Sequence, residues 1–367
     1  MVPEVSEGTT AGLFTWRNAI MGGVGAGALL AVTVGVYFFM WTMGIGPVGS
    51  LVAQGVLEAR DPIILAQFEN RTDDEMLAAV VTDALRVDLL ESQVVTLVDG
   101  RLVGEVLQRM GRPANTPLTA DVAREVAERE GIKAVVEGEV SRVGSGYLLA
   151  ARVVVPGDGQ TLAAFRENAA SEDDILSAID RLSQRLREKA GESLRDIRAG
   201  EALEAVTTSS MEALRLFAQA RQAEEDGDVA RTVGLLEEAL ALDSTFAMAW
   251  RKLAVQHSNR GGNRDAQYRA ATAAYQHRDR LTQRERYLAE AYYHYTVTKD
   301  EEATAQAYRR VLENYPQDPA ALNNLGLYYG DRREWAEAAA LYQRAIDGPG
   351  RSRSAYNNLV IALYNQG

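Results

Sequence analysis

Residues 321–346 read ALNNLGLYYGDRREWAEAAALYQRAI, and their spacing decides how the second half of the chain folds. Asn323-Asn324-Leu325 returns thirty-four residues later as Asn357-Asn358-Leu359. That period marks a helix pair stacking on copies of itself. Leu322, Leu325 and Tyr329 supply bulk, Gly326 and Ala338 let the paired helices approach, and Tyr342 and Ala345 continue the second helix. One period earlier stand Leu288, Ala291, Tyr292, Tyr295, Thr304, Tyr308, Val311 and Pro316, with Tyr292 and Thr304 where a small residue is expected. Before them, Trp250, Leu253 and Ala254 are continued by Ala266, Ala270 and Ala273, with about four extra residues near 278–283. Leu216, Ala220, Gly227, Leu236 and Ala239 open the series.

These positions resemble the tetratricopeptide repeat. The resemblance implies an all-α solenoid over residues 206–367, with four helix pairs and a last helix that acts as a cap. It also implies an inner groove that takes peptides or protein segments, with Lys252, Tyr293, Asn323, Asn324 and Asn357 as candidate lining residues.

The chain's other end differs in kind. Asn18 to Leu57 contains no charged side chain, and Ala19 to Met43 is almost wholly apolar. At helical rise that run spans about 37 Å, enough for a hydrocarbon core of about 30 Å. It predicts a transmembrane helix over residues 18–43, after a polar tail at 1–17. Trp16 and Trp41 are placed to anchor it at the two interfaces. Gly23, Gly27, Ala31 and Gly35 form one ridge of small residues suited to helix packing in lipid. Residues 44–60, punctuated by glycines and Pro47, read as an interfacial linker.

Between these parts, residues 61–191 alternate strand and helix patterns. Ile63–Phe68 reads as a buried strand, and Thr72-x-x-Glu75 as a capping box opening a helix. Val94–Val98 reads as a second strand, and Thr119–Glu130 as a helix stopped by Gly131. A three-stranded meander comes next, and then a helix with Ile175, Ile179, Leu182 and Leu186 on one face. Phe68-Glu69-Asn70 and TADVAREVAEREGIKAVVEGEV at 119–140 resemble the TolB amino-terminal-like domain. The fold expected is therefore a single transmembrane helix, a mixed α/β (TolB-like) domain, a connector at 192–205 and a tetratricopeptide solenoid. That order is similar to the extracytoplasmic half of bacterial receptor-type serine/threonine kinases, without the kinase. This likeness implies a bacterial inner-membrane, single-pass protein with a cytoplasmic N-terminus and most of its chain periplasmic.

The chemistry of the residues narrows function. A net charge of -12 disfavours nucleic acid, and the absence of Cys removes thiolate metal sites. His277-Arg278-Asp279 copies a kinase triplet, but Arg284 stands where that motif needs Asn. His257, His277 and His294 lack metal-ligand spacing. Glu137 and Glu139 read as a solvated sheet face, and Asp73, Asp74 and Glu75 as acids at a helix start. No catalytic, cofactor or metal residues are assigned. The expectation is a non-enzymatic, membrane-anchored scaffold or accessory subunit of a larger membrane complex, for example respiratory or photosynthetic. Its partners would be membrane subunits through the helix and protein or peptide segments through the repeats. The competing expectation is a peptide- or ligand-binding sensor derived from a receptor kinase.

Overall fold

The computed structural model describes residues 30–35, 49–260, 263–348 and 353–367. Its first unit is built on strands β1 (Pro62–Leu65), β2 (Glu69–Arg71), β3 (Thr96–Leu97), β4 (Ala134–Val143), β5 (Gly146–Val154) and β6 (Thr161–Ala169). The sheet runs β3-β1-β4-β5-β6, with β2 also paired to β4. Strands β1 and β2 lie parallel to β4, as does β3 to β1, whereas β4–β5–β6 is an antiparallel meander.

Strand alternation sends side chains to two cores. On one face, Leu65, Val136, Val140 and Leu149 meet Val81 and Leu85 of α1 (Leu77–Leu89) and Ile179 and Leu182 of α4 (Ile175–Ala190). On the other, Ile64, Val135 and Val154 meet Val106 of α2 (Gly100–Arg109) and Val126 of α3 (Ala120–Glu130). The predicted stop of α3 is present, Gly131 closing the helix at φ 68°; Thr119, expected as its first residue, is its N-cap and accepts from the Val122 amide.

The expected strand Ile63–Phe68 is instead two short strands on β4, with Ala66–Phe68 between them. There the Phe68 amide donates to Thr82 Oγ1 (3.0 Å). The Phe68 ring lies over Gly138, where a Cβ would come within 2.5 Å of Cε1. The capping box is also replaced. Helix α1 begins at Leu77, and Asn70, Thr72 and Asp74 bond among themselves and to the Thr72, Asp74 and Met76 amides.

Two short helices, α5 (Leu194–Ala199) and α6 (Leu203–Val206), form the connector, with Ile197, Leu203 and Val206 buried. Beyond it run α7 (Met211–Glu225), α8 (Val229–Leu242), α9 (Ala247–Arg260), α10 (Arg264–Gln276), α11 (Gln283–Tyr293), α12 (Glu301–Asn314), α13 (Pro319–Asp331), α14 (Trp335–Asp347) and α15 (Arg353–Gln366). They pack as four antiparallel pairs and a last single helix, a repeat of tetratricopeptide type. Asp or Asn caps recur at Asp228, Asn263, Asp300 and Asp318, each side chain accepting from an amide three residues on. A Cβ on Gly326 would come within 2.5 Å of the Tyr342 ring, so the small residue is what lets α13 and α14 approach. The extra residues before α11 form a 3₁₀ turn at Arg278–Arg280.

The expectation of a transmembrane helix is corrected. Among the described residues, no helix is long and apolar enough to cross a membrane. Residues 30–35 are helical and exposed, and six residues cover only about 9 Å of helix axis. Ala31 and Gly35 fall here, and a Cβ on Gly35 would meet nothing within 4 Å. Gly23, Gly27, Trp16 and Trp41 lie outside the described residues. With no spanning helix described, the single-pass inner-membrane placement, with its cytoplasmic N-terminus and periplasmic bulk, has no structural basis. The linker expectation also changes over residues 49–57. There Leu51 and Leu57 are buried, and the Leu51 amide donates to Lys189 O (2.8 Å) at the end of α4.

Candidate protein-binding surface of the repeat array

The first helices of the repeats, α7, α9, α11, α13 and α15, lie side by side and are cross-linked by polar rungs. Glu224 of α7 pairs with Lys252 and accepts from Gln256 of α9. Arg251 of α9 pairs with Glu285 of α11 (2.5 Å), and Asn358 of α15 donates to Asn323 of α13 (3.0 Å). Arg284, half-buried, pairs with Asp318, the cap of α13.

The thirty-four-residue register defines one row along this surface. It runs Phe217 and Arg221, Arg251 and Val255, Ala289 and Tyr293, Asn323 and Leu327, then Asn357 and Ile361, with four extra residues between the second and third pairs. The predicted groove residues divide accordingly. Tyr293, Asn323 and Asn357 belong to the row. Lys252 is committed to Glu224, and Asn324 turns away to donate to Tyr308 Oη (3.0 Å). Tyr293 stacks on Tyr275 with ring centroids 4.1 Å apart, and Asn357 is exposed. Leu327 (43% exposed) and Ile361 (55%) escaped the sequence reading, although the spacing that found Asn323 and Asn357 also links them.

At its first repeats the row is filled by the chain itself. Val80, Ala84 and Val87 of α1 lie against Leu214, Phe217, Phe246 and Met248 around a small seam cavity of about 20 Å³. Asp83 pairs with Arg221 (3.2 Å). Arg215 pairs with both Asp74 and Glu172 at 2.7 Å. These charges raise the Arg215 pKa, against the opposing effect of burial. Farther along, Tyr315 donates to Glu91 (2.8 Å) from the loop before α13. Burial pushes the Glu91 carboxyl up, and burial beside Glu91 pushes the Tyr315 hydroxyl up. One apolar core runs from the sheet into α7 and α9.

The expected solvated pair on β4 is corrected at Glu137. It is 2% exposed under α3, with Arg152 at 2.7 Å and Arg124 at 3.9 Å. Glu139 pairs with Arg71 at 3.1 Å.

No protein-family model matches the chain, and neither does any curated protein. Among solved structures, the chain is similar to the LpoB C-terminal domain from Escherichia coli. The match has 19% identity and a TM-score of 0.28, and covers 31% of this chain and 84% of that one. It is also similar to the APC/C hetero-tetramer Cut9-Hcn1, at 18% identity and TM-score 0.36, over 42% of this chain and 30% of that one. The MamA protein matches at 17% identity and TM-score 0.30, over 42% of this chain and 83% of its own. These likenesses are partial, and function is argued below from the chain's own residues.

Proposed function

We propose that this protein is a non-enzymatic interaction scaffold, an accessory subunit whose repeats hold a segment of another protein. The observation that carries this reading is the row of inner positions. At α7 it already grips a helix, and at α13 and α15 the same positions stay open with Leu327 and Ile361 exposed. Exposed aliphatic side chains aligned on adjacent helices are a feature of interaction surfaces. The α/β unit serves in this reading as a built-in brace for the array. Its likeness to TolB amino-terminal-like domains rests on residues 68–70 and 119–140. The resemblance to receptor-kinase outer regions rests on the order of the α/β unit and the repeats.

The test is affinity purification of the tagged full chain from its native cells, with quantitative mass spectrometry. The expected result is a partner recovered in fixed ratio and lost on replacing Leu327 and Ile361 by Asp. Recovery of a monodisperse monomer alone would overturn the proposal.

A further inference from the structure

We propose that the joint between α10 and α11 is a proton-operated latch, closed while Glu91 holds a proton and opened when it ionises.

The joint is the thinnest part of the packing. One apolar core runs from the sheet through α7 and α9 to Ala270 and Ala271 of α10. A second core, around Leu288, Tyr308, Leu325 and Tyr342, holds α11 to α15 together. Among the described residues, the apolar link between them is a patch of Ala247, Leu281 and Ala289, with Tyr292 and Val297 resting on the first core. Irregular turns bracket α11, 3₁₀ at Arg278–Arg280 and π-helical at His294–Thr298. Such turns are common at hinges and functional sites. A cavity of about 80 Å³ opens beside the joint, between Arg60, Gln93 and Thr96 on one side and Asn314 and Gln317 on the other.

Glu91, just past α1, closes the joint from the α/β side. Its Oε2 accepts from the Tyr315 hydroxyl (2.8 Å). Its Oε1 is buried without a hydrogen bond, beside the Thr282 hydroxyl. The cations around it are already committed. Arg187 of α4 pairs with Asp88 (2.9 Å) and Glu192 (2.7 Å). Glu192 also accepts from Ser92, the next residue after Glu91 (2.7 Å). Arg284 of α11 pairs with Glu285 (2.7 Å) and Asp318 (2.5 Å). Glu285 adds a like charge facing Glu91. Glu91 therefore meets hydroxyls and has no guanidinium of its own.

Ionising Glu91 in the closed joint leaves a carboxylate out of water without an ion pair, whereas opening returns it to solvent. Burial accordingly pushes its carboxyl up. The contribution of Glu91 to closure is fully present below the ordinary value of about 4.5, and is lost as pH rises through the raised value. On opening, α11 to α15 move as one block against α10, while the shared core keeps α7 and α9 on the α/β unit. The direction in which the outer repeats point is then set by pH.

The chain has no Cys, so dyes can be placed on the full chain at Gln108→Cys of α2 and Gln343→Cys of α14, both exposed. Single-molecule energy transfer should show one population at low pH and a second that grows at least threefold as pH rises. Helical circular dichroism should stay constant over that range. Glu91→Gln keeps an acceptor for Tyr315 but cannot ionise, and should remain in the first population throughout. Tyr315→Phe removes a donor that favours the carboxylate, and should move the midpoint down by about one pH unit. Asp180→Asn, on α4 away from the joint, should leave the response intact. A wild type with one population at every pH, or helix lost together with the first population, would overturn the inference. So would a response that persists in Glu91→Gln, which retains His277 and His294, or one abolished by Asp180→Asn. If Glu91→Gln does not fold, an unmoved midpoint in Tyr315→Phe overturns it alone.

Discussion

Replacing Phe217 by Ala tests whether the two units share one core. Phe217 is 7% exposed, and its ring lies 5.0 Å from that of Phe246, which is fully buried. Both rings face α1 across the seam. Removing a buried Phe side chain costs about 3–5 kcal/mol, the lost transfer energy plus a cavity that relaxes only partly. The tilted ring pair adds roughly 0.5–1.5 kcal/mol to what is lost. For a chain of this size, that lowers the melting temperature by roughly 5–9 °C. The assay is thermal unfolding monitored by circular dichroism, with hydrogen exchange read at β4–β6 and at α13–α14 in parallel. If the core is shared, the wild type melts in one transition, and Phe217→Ala lowers protection in the sheet as well as in the repeats. A wild-type melt in two separate steps, or a variant whose sheet keeps its protection, would refute the reasoning.

Three further outcomes are expected. Gly138→Ala forces a methyl within 2.5 Å of Ala150 O and of the Phe68 ring, and should cost about 1–3 kcal/mol in a denaturant titration. Arg215→Ala removes the side chain that pairs with both Asp74 and Glu172, and should lower stability by about 1–2 kcal/mol, less at high salt. Burial holds the Asp180 carboxyl up at about 6, where it accepts from the Leu203 amide. Stability from a carboxyl raised in this way is fully present below about pH 4 and lost as pH rises through about 6. Asp180→Asn keeps the acceptor and removes the charge. Its gain at pH 8 should be about 1 kcal/mol, after discounting for partial exposure, and should vanish at pH 4.

The local chemistry of the fold was legible. Thr119 and Gly131 marked the ends of α3, and Gly326 marked the close approach of α13 to α14, because caps and small residues act within one element or one pair. What spacing could not show is how distant elements meet. Glu137 alternates with Val136 as an outward residue should, yet α3 covers that face, and two arginines compensate the buried charge. Likewise Asp83 and Arg221 meet although more than a hundred residues separate them, and no local pattern pairs them. The row of the candidate site was half legible. Asn323 and Asn357 stood out as polar residues, while Leu327 and Ile361 look like core residues until their exposure is seen. The apolar run at 18–43 gave a strong signal for a spanning helix, and the described residues contain no such helix.

An array whose helices touch only their neighbours has the elasticity of a spring. Here one end of that spring is clamped. Phe246, Tyr315 and Arg215 fasten α7, the start of α9 and the loop before α13 to α1 and the loops beside it, whereas α14 and α15 have no such attachment among the described residues. The molecule is mechanically a cantilever: a tensile load applied at α15 would be absorbed by bending of the last turns of the solenoid before it strained the α/β unit.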